Sequence, residues 1–201
     1  MICYSDLFYG KLPNLIIGFH GCEKSTFDSI INNRQKMHKS SNKYDWLGNG
    51  MYFWEQNLER AWQWAKENKK IKEPAVIGAV IELGYCLNLL DSFYIQMVKN
   101  EYTLLKQDVE IAGDTLPENK LKDDTGNVFL RNLDCAVLEH LHSTREKNGY
   151  SPFDSVRGVF WEGEPIYHNT EIREKNHIQI CIRNPNCIKG YFVPLQYTDN
   201  W

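Results

Sequence analysis

The chain has no long hydrophobic run, no Cys-x-x-Cys pair and no excess of positive charge. Each absence removes a class of function. A bilayer-spanning helix needs roughly 18 to 20 consecutive apolar residues, and none exists, so no membrane span is expected. The N-terminal Met1-Ile2-Cys3-Tyr4-Ser5-Asp6 lacks a basic segment leading into an apolar one, which argues against a secretory signal. The six cysteines (Cys3, Cys22, Cys86, Cys135, Cys181, Cys187) are scattered without metal-ligand spacing. We therefore expect reduced thiols in a cytoplasmic protein and no metal site. A net charge of −3 speaks against a large sequence-independent phosphate footprint, though it leaves room for a local basic patch. No repeat, low-complexity tract or Pro/Gly/Ser linker divides the 201 residues, so one domain spanning 1–201 is the economical reading.

Aromatics are plentiful, at 13% with six Trp. Most of that is core, but it also suits stacking on a flat ligand. The hydrophobic periodicity alternates strands and helices. Asn14–Phe19 reads as a strand closed by His20-Gly21. Ser25 caps a short helix from Thr26 to about Asn33, and 34–45 is a polar loop. Gly50–Trp54 is a strand; Asn57 caps a helix from Leu58 to about Lys69; Ala75–Leu83 is a central strand. Asp91 caps a helix from Ser92 to about Gln107, and a further helix runs from about Asn127 to Lys147, stopped by Gly149. The tail offers Ser155–Trp161, a polar loop, then His177–Arg183 and Cys187–Val193 as a hairpin around Asn184-Pro185-Asn186. Strands at both ends with helices between predict an α+β fold.

Two segments carry chemistry. Ile16-Ile17-Gly18-Phe19-His20-Gly21-Cys22 is a β-branched run ending on His-Gly. Gly48-Asn49-Gly50-Met51-Tyr52-Phe53-Trp54 is a glycine-flanked aromatic strand. A His at a strand end offers a planar donor or acceptor to a sugar hydroxyl, and the following Gly exposes its backbone to a carboxamide. A Tyr between glycines can lay its ring on a flat heterocycle. Taken singly, each has a bland reading as core or as a backbone-satisfied His; their order and co-occurrence give them weight.

These residues resemble the diphtheria-toxin-like branch of the ADP-ribosyltransferases, which includes the poly(ADP-ribose) polymerases. His20-Gly21-Cys22 is similar to its His-Gly-[Thr/Ser] motif, with Cys in place of the hydroxyl residue. Gly48-Asn49-Gly50-Met51-Tyr52-Phe53 is similar to its Gly-x-Gly-[Ile/Val]-Tyr-Phe motif. The resemblance implies split antiparallel β-sheets with flanking helices, and NAD as substrate. It implies that His20 and Gly21 hold the ribose and carboxamide and that Tyr52 stacks on nicotinamide. An aromatic of the next helix completes the clamp, Trp62 being our choice over Trp64.

The family's third motif is a late strand bearing a Glu. His177-Ile178-Gln179-Ile180-Cys181-Ile182 matches it in pattern, with Gln179 at the Glu position. Gln keeps a hydrogen bond but lacks charge, and charge-assisted bonds are roughly twice as strong. Polymer elongation is therefore not expected. Transfer of a single unit is, to a protein or nucleic-acid acceptor, as in a toxin or defence effector with an antitoxin or regulatory partner. The alternatives are an NAD or ADP-ribose binding module and an NAD glycohydrolase. The loop before this strand, Trp161–Glu171, occupies the acceptor side in related transferases; Glu162, Glu164, Glu171 or Glu174 could restore a charge there. His177, two residues before Gln179, shares its face of the strand and is a candidate acceptor contact or base. The stretch of about 91–150 matches no part of the family and reads as a helical insertion.

Overall fold

The computed structural model describes residues 15–122 and 128–195. The elements, in chain order, are β1 (Ile16–Glu23), α1 (Lys24–Ile31), β2 (Met51–Glu55), α2 (Leu58–Glu67), β3 (Pro74–Ile81), β4 (Cys86–Asn88), α3 (Ser92–Ala112), β5 (Lys120–Lys122), β6 (Val128–Leu130), α4 (Asn132–Lys147), β7 (Ser155–Phe160), β8 (His177–Ile182) and β9 (Ile188–Phe192). The class is α+β, as the periodicity predicts.

Seven strands form a sheet in the order β4-β7-β8-β2-β1-β3-β9, and β5 pairs with β6 apart from it. All neighbours are antiparallel except β4 and β7. The expectation of two separate sheets is met only as a seam. β1 pairs with β3 from Ile16 to Glu23, but with β2 only at Gly18↔Glu55 and Phe19↔Trp54. Beyond Phe19 the His20 imidazole, not the β1 main chain, reaches β2: its Nδ1 lies 2.8 Å from the Tyr52 carbonyl oxygen.

Strand alternation sorts the core into two layers. Met51, Phe53, Ala79, Ile81, Ile180 and Ile182 share one cluster. Leu47, Leu87, Val156, Phe160 and Cys181 share another, roofed by Tyr94 of α3 and Leu138 and Leu141 of α4. The 91–150 stretch thus supplies part of the cover over one sheet face. Asn57 and Asp91 cap α2 and α3 as expected, accepting from Arg60 N and Phe93 N.

Several boundaries differ from the sequence reading. β1 does not end at His20-Gly21, because β3 continues to pair with it through Glu23↔Pro74. Helix α1 begins at Lys24, with Glu23 rather than Ser25 at its N-cap. The helix expected from about Asn127 starts at Asn132; Val128–Leu130 instead pairs with Lys120–Lys122, and Asn127 lies outside the described residues, as does Cys3. β8 and β9 do not form a hairpin. Both edges of β8 are taken, by β7 and β2, so the 3₁₀ turn Pro185–Cys187 redirects the chain to the free edge of β3.

Candidate functional site

The order β8-β2-β1 sets the three motif strands side by side. His20 is the best-defined member. A carbonyl only accepts, so the contact to Tyr52 O requires Nδ1 to carry the proton. Burial holds the His20 pKa below its ordinary value, against the opposing effect of that bond. The ring is therefore neutral near pH 7, and Nε2 presents a lone pair. Among the described residues Nε2 has no hydrogen-bond partner. It is a ready acceptor for a hydroxyl.

Gly21 lies tight under α2. A Cβ built there would stand 2.5 Å from the Ala61 carbonyl oxygen and 3.3 Å from Trp64 Cε3. Close helix–strand packing is thus one reason for glycine at this position. The same packing separates the two tryptophans. Ala61 and Ala65 face the sheet with no exposed surface. Trp64 lies beside Gly21 and stacks obliquely on Trp54, with centroids 5.6 Å apart. Trp62, our choice for the clamp, is turned away: Lys66 sits over it, and it lines a cavity of about 350 Å³ with Lys24, Phe27, Pro74 and Val76. The helical period of 3.6 puts position 64, not 62, next to the Gly21 side.

Tyr52 leaves β2 on the face opposite His20. Its ring packs on the Leu47, Leu138 and Phe160 cluster, whereas the His20 ring lies against Phe53 at 5.9 Å. Its hydroxyl is engaged twice, donating to Gly48 O at 2.6 Å and accepting from Leu47 N at 2.8 Å. Burial raises its pKa strongly. In this geometry Tyr52 holds the 47–50 loop, where Gly48 needs φ +78°, and its ring is not stacked toward His20. Sequence reasoning missed a second anchor of that loop. Glu139 of α4 accepts from the Asn49 backbone and side chain at 2.8 and 2.9 Å and pairs with Arg183. Burial raises the Glu139 pKa, but those donors outweigh it and the net shift is downward.

Gln179 lies opposite Trp54 on β2 and opposite Gly158 on β7. It is half-buried, and among the described residues its amide has no hydrogen-bond partner. A structural amide tying down a loop would be bonded. His177 shares its face, as the strand period predicts, but is 5% exposed. The ring stacks on Phe160 at 5.6 Å. Nδ1 donates to Lys175 O at 2.7 Å, leaving Nε2 buried and unpartnered. Burial lowers the His177 pKa despite that bond.

Of the four loop glutamates, Glu162 alone is buried. Its Oε2 pairs with Arg60 Nη2 at 2.8 Å and lies 3.5 Å from His177 Nδ1. Glu171, Glu164 and Glu174 are exposed. Arg60 was not legible as a site residue: it reads as one more helix cation. In the fold it is 6% exposed beside Trp54, with its Nε and Nη1, the Trp54 Nε1 and the His177 Nε2 all buried without partners. The Cys22 thiol, next to the His-Gly step, is buried and its pKa is pushed up to about 11, which marks it as unreactive.

A second cavity, of about 390 Å³, lies between α3, α4 and β7, with Gly158 and Phe160 in its wall. His20, Tyr52 and Gln179 line neither cavity. Among the described residues there is no group of three or more His, Cys, Asp or Glu that could hold a metal ion, and no helix is long and apolar enough to cross a membrane.

No family model matches the chain, and no solved structure matches it. It is similar to an uncharacterized protein of Methanocaldococcus jannaschii, at 27% identity over 85% of this chain and 83% of that protein.

Proposed function

We propose that this chain binds NAD and transfers a single ADP-ribose unit from it to a macromolecular acceptor, protein or nucleic acid. The observation that carries this reading is the free lone pair of a neutral His20 at the seam between β1 and β2; the unpartnered amide of Gln179 lies on β8, on the face of the sheet shared by Tyr52 and Trp54. His20 Nε2 accepts from a hydroxyl of the nicotinamide ribose on one side of the β1–β2 seam, and the Gln179 amide is offered to the scissile bond from the other. The ribose C1–nicotinamide bond breaks, nicotinamide leaves with the bonding pair, and the acceptor's nucleophile forms the new bond while its proton goes to solvent. Gln179 offers a dipole rather than a charge to the developing oxocarbenium ion, which favours one transfer over elongation. Such a reaction suits the cytoplasm, where NAD is present and the five described cysteines would remain the free thiols they are here.

A second reading, NAD binding without turnover, is favoured by the same neutral Gln179 and by the engaged hydroxyl of Tyr52. Incubation with labelled NAD, lysate and nucleic acid separates the readings. Label on a macromolecule supports transfer, free ADP-ribose supports hydrolysis, and retained NAD alone supports the binding module. Unchanged NAD binding by His20→Ala overturns the proposal.

A further inference from the structure

We infer that the cavity between α3, α4 and β7 binds a nucleobase carrying a phosphate, and that this base is the acceptor. The acceptor role rests on the transferase reading above; the binding does not. The cavity measures about 390 Å³, within the range of roughly 300 to 1,000 Å³ typical of ligand pockets. Its wall combines the aromatics Trp46, Phe160 and Tyr102 with the cation Lys99 and with Arg131, which pairs with the single acid, Asp134, at 3.7 Å. Arg131 lies over both rings, 4.2 Å from the Trp46 centroid and 4.9 Å from that of Phe160. The flat surfaces within reach of a base are the half-buried Trp46, packed with the Arg131 guanidinium, and the exposed Tyr102, while Phe160, 6% exposed, backs them from within; stacking on aromatic and arginine planes is how unpaired bases are held. Lys99 and Tyr102 are exposed on α3 and give the open side a cation and a ring, the pair that a phosphate-bearing base requires.

Two features distinguish this cavity from the one lined by Trp62. That one has two aromatics, Trp62 and Phe27, and one cation, Lys24, among Pro74, Ala75, Val76, Val193 and Pro194, against three aromatics and two cations here. The α3–α4 cavity also adjoins the third motif. Gly158 in its wall is the ladder partner of Gln179, and Phe160 is the partner of His177. A base seated there is one strand from the Gln179 amide. In the transfer step one of its ring or amino nitrogens bonds to ribose C1 as nicotinamide departs with the bonding pair, and the nitrogen's proton goes to solvent. The chain's net charge of −3 is no objection, because binding of one base needs a local patch only.

The test is fluorescence anisotropy with a labelled single-stranded oligonucleotide, and equilibrium dialysis with the 5′-mononucleotides, using the whole chain. Retained binding of a mononucleotide identifies a free nucleotide as sufficient; binding of the oligonucleotide alone identifies a nucleic acid. Both support the pocket. Lys99→Glu and Tyr102→Ala change exposed side chains, so they should fold, and each should weaken binding at least tenfold; Lys147→Glu, at the far end of α4, should not. Binding that is absent, or that these two variants leave unchanged, overturns the proposal. NAD binding is measured on the same variants and should be unaltered. Loss of NAD binding in Tyr102→Ala would make the cavity part of the NAD site and overturn the acceptor role. Nucleotide binding without any NAD binding by the unmodified chain would leave the pocket standing and refute the transferase reading instead.

Discussion

The buried Arg60–Glu162 pair allows a quantitative test of what holds the site together. Arg60 comes from α2, one turn after the Asn57 cap, and Glu162 from the residue but one after β7. Their side chains are 7% and 9% exposed and 2.8 Å apart. Removing one member of such a pair strands the other charge, which costs about 3–5 kcal/mol. For a chain of this size each kcal/mol lowers Tm by about 2–4 °C, so Glu162→Gln should lower it by about 6–20 °C. The two singles should not be equal. Arg60 already has Nε and Nη1 buried without partners, so Arg60→Met removes unmet donors together with the charge. It should be the milder change. The double variant Arg60→Met/Glu162→Leu should recover most of the loss, because well-packed apolar residues replace such pairs at little cost. Urea unfolding of the unmodified chain, Arg60→Met, Glu162→Leu and the double variant closes a double-mutant cycle, with an expected coupling of at least about 2 kcal/mol. A Glu162→Gln variant losing less than about 1 kcal/mol would show that the pair is solvated in solution and refute the argument.

Further outcomes follow from individual contacts. Tyr52→Phe should cost about 1–3 kcal/mol in urea unfolding, since it leaves Leu47 N and Gly48 O without the hydroxyl that now joins them. Gln179→Glu should raise transfer, followed as label incorporated from NAD, by about tenfold, because the added charge strengthens the bond by roughly 1.4 kcal/mol; slower transfer with unchanged stability would refute the role given to Gln179. The folded pKa values of His20, His142 and His177 all lie below the ordinary value, chiefly through burial, and that of His142 falls to about 4. The unfolded chain therefore takes up protons first, and stability should be flat above about pH 7.5 and fall as pH drops through about 6.5. His142 alone should contribute about 3 kcal/mol between pH 7.5 and 4, and His142→Leu should flatten the curve measured by urea titration. Its two ring nitrogens have no partner to lose.

Much of the local structure was legible. Asn57 and Asp91 announce helix starts because their side chains cap backbone amides wherever the rest of the chain goes. The β-branched run at Ile16–Ile17 and the apolar stretch from Ala75 declare strands through a period that needs no tertiary information. His20, Tyr52 and Gln179 could be singled out because residue type and spacing survive in one dimension. What they touch could not be. The side on which Tyr52 leaves β2, and the bonds of its hydroxyl to Leu47 and Gly48, depend on a register shared with β8. That Trp64 and not Trp62 lies beside Gly21 turns on the rotation of α2 about its axis, set by Ala61 and Ala65 against the sheet.

The sequence by itself thus determined the α+β class, the Asn57 and Asp91 caps and the three polar positions inside apolar strands, because these rest on periodicity and side-chain chemistry. Only the tertiary structure decided that β9 crosses to β3 instead of pairing with β8, since a strand with both edges occupied can accept no third partner. Only it joined Arg60 to Glu162 across 102 residues and gathered Trp46, Tyr102, Arg131 and Phe160 around one cavity. Contacts between distant segments follow from how whole layers pack, and no local pattern records them.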